Sequence, residues 1–151
     1  MENLRHMQVW KMVCFWMLAQ MATPSGRLEL VITDIIKGQG CLRLGIYESA
    51  DAFNQKDLGG QYGREICDLT DTQQIIHIAN LPPGEYALAL YQDLNDNGQL
   101  DTNLFGIPTE PYAFSRNPGV KWRSPTFSET AFRLDAQGHR EVLSLRRWKN
   151  H

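Results

Sequence analysis

From residue 27 onward, apolar and polar positions alternate with the two-residue period of half-buried strands. RLELVITDI (27–35) turns Leu28, Leu30 and Ile32 to one side, and CLRLGIY (41–47) does the same with Leu42, Leu44 and Ile46. The Gly-rich link KGQG (37–40) between them predicts a hairpin. Periodicity lapses over 48–64, a predicted loop with one helical turn at ADAF (50–53), and resumes in EICDL (65–69) and QQIIHIANL (73–81). PPGE (82–85) is turn chemistry, with Pro fixing φ and Gly easing steric limits. YALALYQD (86–93) is the most apolar strand candidate. A long irregular stretch, 103–127, holds Pro108, Pro111, Pro118 and Pro125, and ETAFRLD (129–135) and HREVLSLRRW (139–148) close the pattern. About seven short strands separated by turns predict one all-β domain, an antiparallel β-sandwich of immunoglobulin-like or transthyretin-like kind.

Residues 1–22 break this pattern. Arg5 and Lys11 precede the uncharged run MVCFWMLA, and small residues follow at Ala22–Ser25, the order of a secretory signal. A core helix and an uncut anchor are the competing readings, because Gln20 weakens the cleavage site and the run is short. We take export as the expectation: a signal over 1–22, a single domain over 23–151, and a periplasmic or secreted location. No apolar run reaches the roughly 18 residues of a membrane-spanning helix. Removal of the signal also removes Cys14 and leaves Cys41 and Cys67, either one disulfide in an oxidising compartment or two buried thiols.

The 151 residues are 42% hydrophobic, enough for an unaided core, and the net charge of −2 argues against nucleic acid. Charge is unevenly placed. Between Glu65 and Ser115 stand Glu65, Asp68, Asp71, Glu85, Asp93, Asp96, Asp101 and Glu110, with no Lys or Arg. Bases crowd the chain from Arg116 onward. Carboxylates without basic neighbours must stay apart, share a cation, or be met by the basic C-terminal third if folding brings it alongside.

In YQDLNDNGQLD (91–101), Asp93, Asn95, Asn97, Gln99 and Asp101 fall on the first, third, fifth, seventh and ninth positions of a calcium loop, with Gly98 at the sixth. The twelfth position is Leu104 where a bidentate Glu belongs, so Glu110 is the candidate for the missing carboxylate and Asn103 for a further amide oxygen. The preceding strand excludes an EF-hand domain. Two aspartates and two amides predict weak calcium binding, in the range of about 10⁻⁴–10⁻³ M. A plain turn is the alternative, since Asn97-Gly98 suits a type I′ hairpin.

No catalytic motif stands out. His6, His77, His139 and His151 carry no metal or triad spacing, and Ser115, Ser124 and Ser128 have no base assigned by sequence. A pairing of Asp101 with Glu110 for glycoside chemistry is the one hydrolase reading. Tyr112, Phe114, Trp122 and Phe127 in the Pro-rich stretch form either buried seals or exposed rings that stack on sugars, which implies a glycan or protein partner at the cell envelope.

The block LPPGEYALALYQDLNDNGQLDTNLFGIPTEPYAFS (81–115) resembles the uncharacterised bacterial family known as domain of unknown function 2141. The family pattern joins a "PPGxYA" turn, a "DxNxNGxLDTN" segment and "FGIPxEPYxFS", and SPTFSETAF (124–132) resembles its later "PxFxxAxF" segment. The resemblance implies a small exported β-sandwich and no established activity. The 93–101 loop is also similar to the "DxNxDGxxDxxE" loops of calcium-binding B-type modules in Gram-positive surface adhesins, except that Leu104 replaces the terminal Glu. YRGS, the closing signature of transthyretin-like hydrolases, is absent.

Overall fold

A computed structural model describes residues 25–55, 62–119 and 123–148. The elements in chain order are β1 (Gly26–Thr33), β2 (Cys41–Tyr47), α1 (Ala50–Asn54), β3 (Arg64–Ile66), β4 (Gln74–Leu81), β5 (Gly84–Asp93), β6 (Tyr112–Phe114), α2 (Phe127–Thr130), β7 (Phe132–Leu134) and β8 (His139–Ser144). One sheet runs β4-β1-β8 and the other β3-β2-β5-β6, with β7 paired to the start of β5. The architecture is the all-β sandwich that the alternation predicts. Residues 1–22, the expected signal, lie outside the described residues.

The inward positions of both sheets close on one core. Leu28, Leu30 and Ile32 meet Leu42, Leu44, Ile46, Leu88, Leu90 and Leu143, all essentially without exposure. At one end of that core Gln92 is fully buried and fully bonded: its amide donates to the carbonyls of Ile36 and Gln39 and accepts from the Ile36 N–H. A buried amide is tolerated when every polar atom finds a partner.

Three details differ from expectation. β1 and β2 do not form a hairpin; the 37–40 link crosses from one sheet to the other, because both edges of β1 are taken by β4 and β8. β1 and β8 run parallel, with Leu28 beside His139 and Thr33 beside Ser144. Among the described residues the strands number eight, because Tyr112–Phe114 within the Pro-rich stretch pairs with β5.

β5 is buried on both faces, which explains its nearly continuous apolar run. Its inner side chains enter the core. Its outer ones, Ala87, Ala89, Tyr91 and Asp93, lie beneath two covers. Over Ala87 and Ala89 sit Tyr47, Phe53, Phe114 and Phe127, with Tyr47 and Phe53 edge to face at 5.3 Å. Over Asp93 lies the loop that runs on to β6.

Candidate functional site

The loop begins where β5 stops, and Asp93 is the pivot. It has no exposed surface. Its Oδ2 accepts from Arg43 Nε at 2.7 Å and from the Gly98 N–H at 2.7 Å, while Oδ1 accepts from the Asn97 N–H at 3.1 Å. Burial pushes the Asp93 carboxyl up, but the Arg43 guanidinium and the Gly98 and Asn97 amides together outweigh it and hold the group below the ordinary carboxylate range. Drawing the 97 and 98 amides back onto Asp93 curls the chain. Asp96 takes φ 58° and Gly98 φ 81°, left-handed values natural to glycine and accessible to Asp and Asn.

Two Asx turns tighten the curl. Asn95 Oδ1 accepts from the Asn97 N–H at 3.2 Å, and Asn97 Oδ1 from the Gln99 N–H at 2.8 Å. Both side-chain amides then face Asp101: Asn95 Nδ2 donates to Oδ2 at 2.7 Å and Asn97 Nδ2 to Oδ1 at 3.0 Å. The side chains of Asn95, Asn97 and Asp101 therefore turn toward one another, whereas Gln99 is exposed and enters the loop's bonding through its N–H. Glu110 is buried and spans the base of the loop, accepting from the Leu94 N–H at 2.7 Å and the Asp101 N–H at 3.0 Å. Leu104, at the twelfth position, is fully exposed.

Sequence reasoning missed the cation beside this loop. Arg43, on β2 next to Tyr91, extends a three-way fork to Asp93, Glu65 and Asp96, with Glu65 at 2.7 Å and Asp96 at 3.1 Å. The base that answers the lysine-free stretch thus comes from upstream, 50 residues away in sequence. Cross-strand register alone creates the pairing, so no local signal announces it.

Among the described residues, the group of three Cys, His, Asp or Glu ligand atoms within 4.8 Å of one another is Cys41, Glu65 and Cys67. Its sulfurs are bonded to each other, with the two Cα atoms 4.4 Å apart. This disulfide fastens the short edge strand β3 to β2 beside the Arg43 fork. Close approach continues at Gly40, where a Cβ would stand 1.7 Å from the Asp93 carbonyl oxygen, so only glycine fits there.

After Asp101 the chain makes a second, narrow hairpin. Thr102 bridges Pro108, the Asn103 N–H donates to the Ile107 carbonyl, and Asn103 Oδ1 accepts from the N–H groups of Phe105 and Ile107. The tip holds Leu104 and Phe105 out in solvent, Phe105 at 87% exposure. Behind it, a groove of about 600 Å³ runs between this hairpin, β6 and the segment after β8, with Tyr112, Phe114, Arg123, Arg146 and Trp148 among its lining.

The remaining candidates are structural in their contacts. Ser115 Oγ is buried, donating to the Thr130 carbonyl at 2.6 Å and accepting from the Leu88 N–H at 2.9 Å. His139 bonds Glu141 at 3.0 Å and stacks on Phe132. His77 is exposed beside Glu29. Of the aromatics, Tyr112 and Phe114 line the groove and Phe127 packs beside Phe53, while Trp122 lies outside the described residues.

No curated protein and no solved structure matches the chain. The profile of a bacterial family does, over residues 30–142, a span that takes in the core strands, the curled loop and the groove-side hairpin. The chain belongs to that family, DUF2141, described as an uncharacterised protein conserved in bacteria.

Proposed function

We propose that this is an extracytoplasmic β-sandwich whose 93–101 loop takes up calcium as a structural ion. The observation that carries the reading is the convergence of Asn95, Asn97 and Asp101 on the curl that Asp93 organises. Rotation of each Asn side-chain amide by half a turn would replace its nitrogen with oxygen at the same place, at the cost of the Asx-turn bonds from the Asn97 and Gln99 N–H groups, which further weakens the binding. Two amide oxygens would then stand beside the Asp101 carboxylate, with a lone pair of Asp93 and the carbonyl of Gln99 as further donors once the loop adjusts, since both Asp93 oxygens already accept hydrogen bonds. Hard oxygen ligands from alternate positions suit calcium. Glu110 would keep its two amides and hold the loop ends together. Because Arg43 already shares Asp93, the binding is weak, near the millimolar range. The disulfide supports the oxidising location.

Thermal unfolding tests this. Calcium at about 10 mM should raise the midpoint by roughly 3–6 °C over a chelator control, and Asp101→Asn should remove the rise. An equal midpoint in calcium and chelator sinks the proposal.

A second reading, a ligand-binding module at the cell envelope, is favoured by the groove beside the hairpin. Its volume is within the span of small-molecule sites, and it combines ring faces with polar groups.

A further inference from the structure

The groove's chemistry points to a class of ligand. Arg123 and Arg146 both line it. Arg123 is committed to Glu129, with its two terminal nitrogens at 2.8 and 3.1 Å from the carboxylate oxygens. Arg146 is not. Its backbone is fixed to β6 by reciprocal hydrogen bonds with Tyr112, at 2.9 and 3.0 Å, yet among the described residues its guanidinium makes no hydrogen bond or ion pair. Among the described lining residues Arg146 is therefore the cation with no carboxylate bonded to it; Asp34, which accepts from Ser144 at the groove's edge, feels its charge without a hydrogen bond to it.

The facing wall is the 101–109 hairpin. The Phe105 ring is displayed nearly bare, and the turn beneath it is fixed by the Asn103 carboxamide and by the Gly106 N–H on the Asn103 carbonyl at 2.9 Å. The bonded turn fixes the backbone from which the ring projects, so its place at the groove's edge is set before anything binds. Thr102 and Ser124 add hydroxyl groups to the lining. A sugar offers a C–H face to such a ring and hydroxyls to such edges, and a uronic acid adds the carboxylate that a guanidinium grips with paired N–H groups.

We infer that the groove binds an acidic glycan, a uronate-bearing oligosaccharide whose carboxylate is held by Arg146 and whose ring stacks on Phe105. This rests on the ligand-binding reading and is independent of the calcium loop. The test is calorimetric titration of the whole protein with a short oligogalacturonate and with a neutral oligosaccharide of equal length, in sodium buffer because uronates themselves bind calcium. The acidic oligomer should bind at least about tenfold more tightly than the neutral one, and Arg146→Gln should erase that preference. Phe105→Ala should weaken both by about three- to tenfold without altering the melting midpoint, since the ring touches solvent in the free protein. Equal binding of acidic and neutral oligomers overturns the assignment of charge while leaving a glycan groove. Binding of neither overturns both. Acidic binding that survives Arg146→Gln also overturns the inference.

Discussion

The outer face of β5 is covered twice, and the two covers work by different physics. Over Ala87 and Ala89 the cover is aromatic: Tyr47, Phe53, Phe114 and Phe127 exclude water by packing. Over Tyr91 and Asp93 it is ionic: Arg43 and Glu110 hold the loop through charged hydrogen bonds. Packing is insensitive to pH and salt, whereas charge pairing responds to both. One strand thus carries a permanent lid at one end and a conditional one at the other.

The largest test removes the aromatic cover. Phe53→Ala should cost about 3–4 kcal/mol, read by denaturant titration, with no dependence on calcium. Reduction of Cys41–Cys67, or replacement of both by serine, should cost about 3 kcal/mol through the 26-residue separation it closes. It should also loosen Glu65 from the Arg43 fork. Arg43→Gln comes next, at about 2–3 kcal/mol, since it strands the buried Asp93 without its cation. If the two covers differ as described, calcium should raise the midpoint of this variant further than it raises that of the parent protein or of Phe53→Ala, because a metal can then replace the guanidinium.

Acid titration is the smallest effect. The Asp93 carboxyl is held below its ordinary value of 3.8, so its share of stability is complete above about pH 4 and drains away as pH falls further. At the alkaline end, burial raises the hydroxyls of Tyr86 and Tyr91 to about 12. Their contribution is whole below about pH 10 and is lost between about pH 10 and 12. An Asp93→Asn variant should flatten the acid limb of the stability profile alone.

The strands were legible because one face of each is buried and the alternation records it. Pairing was less so. Alternation says that Leu28, Leu30 and Ile32 share a face but not whether the neighbour runs parallel, so the β1–β8 pairing was invisible. It likewise cannot tell a hairpin from a crossing between sheets, as the 37–40 link shows. β6 escaped because three residues carry too little period, and its strand character comes from β5. In the candidate site, the curl was legible because Asn, Asp and Gly bond their own backbone locally. Arg43 and Arg146 were not, because each acts through a strand register set far along the chain.

The parallel β1–β8 pairing has a geometric consequence. β1 enters at Gly26 at one pole of the sandwich, whereas the turn to β2, the end of β5 and the exit of β8 all gather at the other. Gly26 is therefore separated from the curled loop by the length of β1, roughly 25 Å.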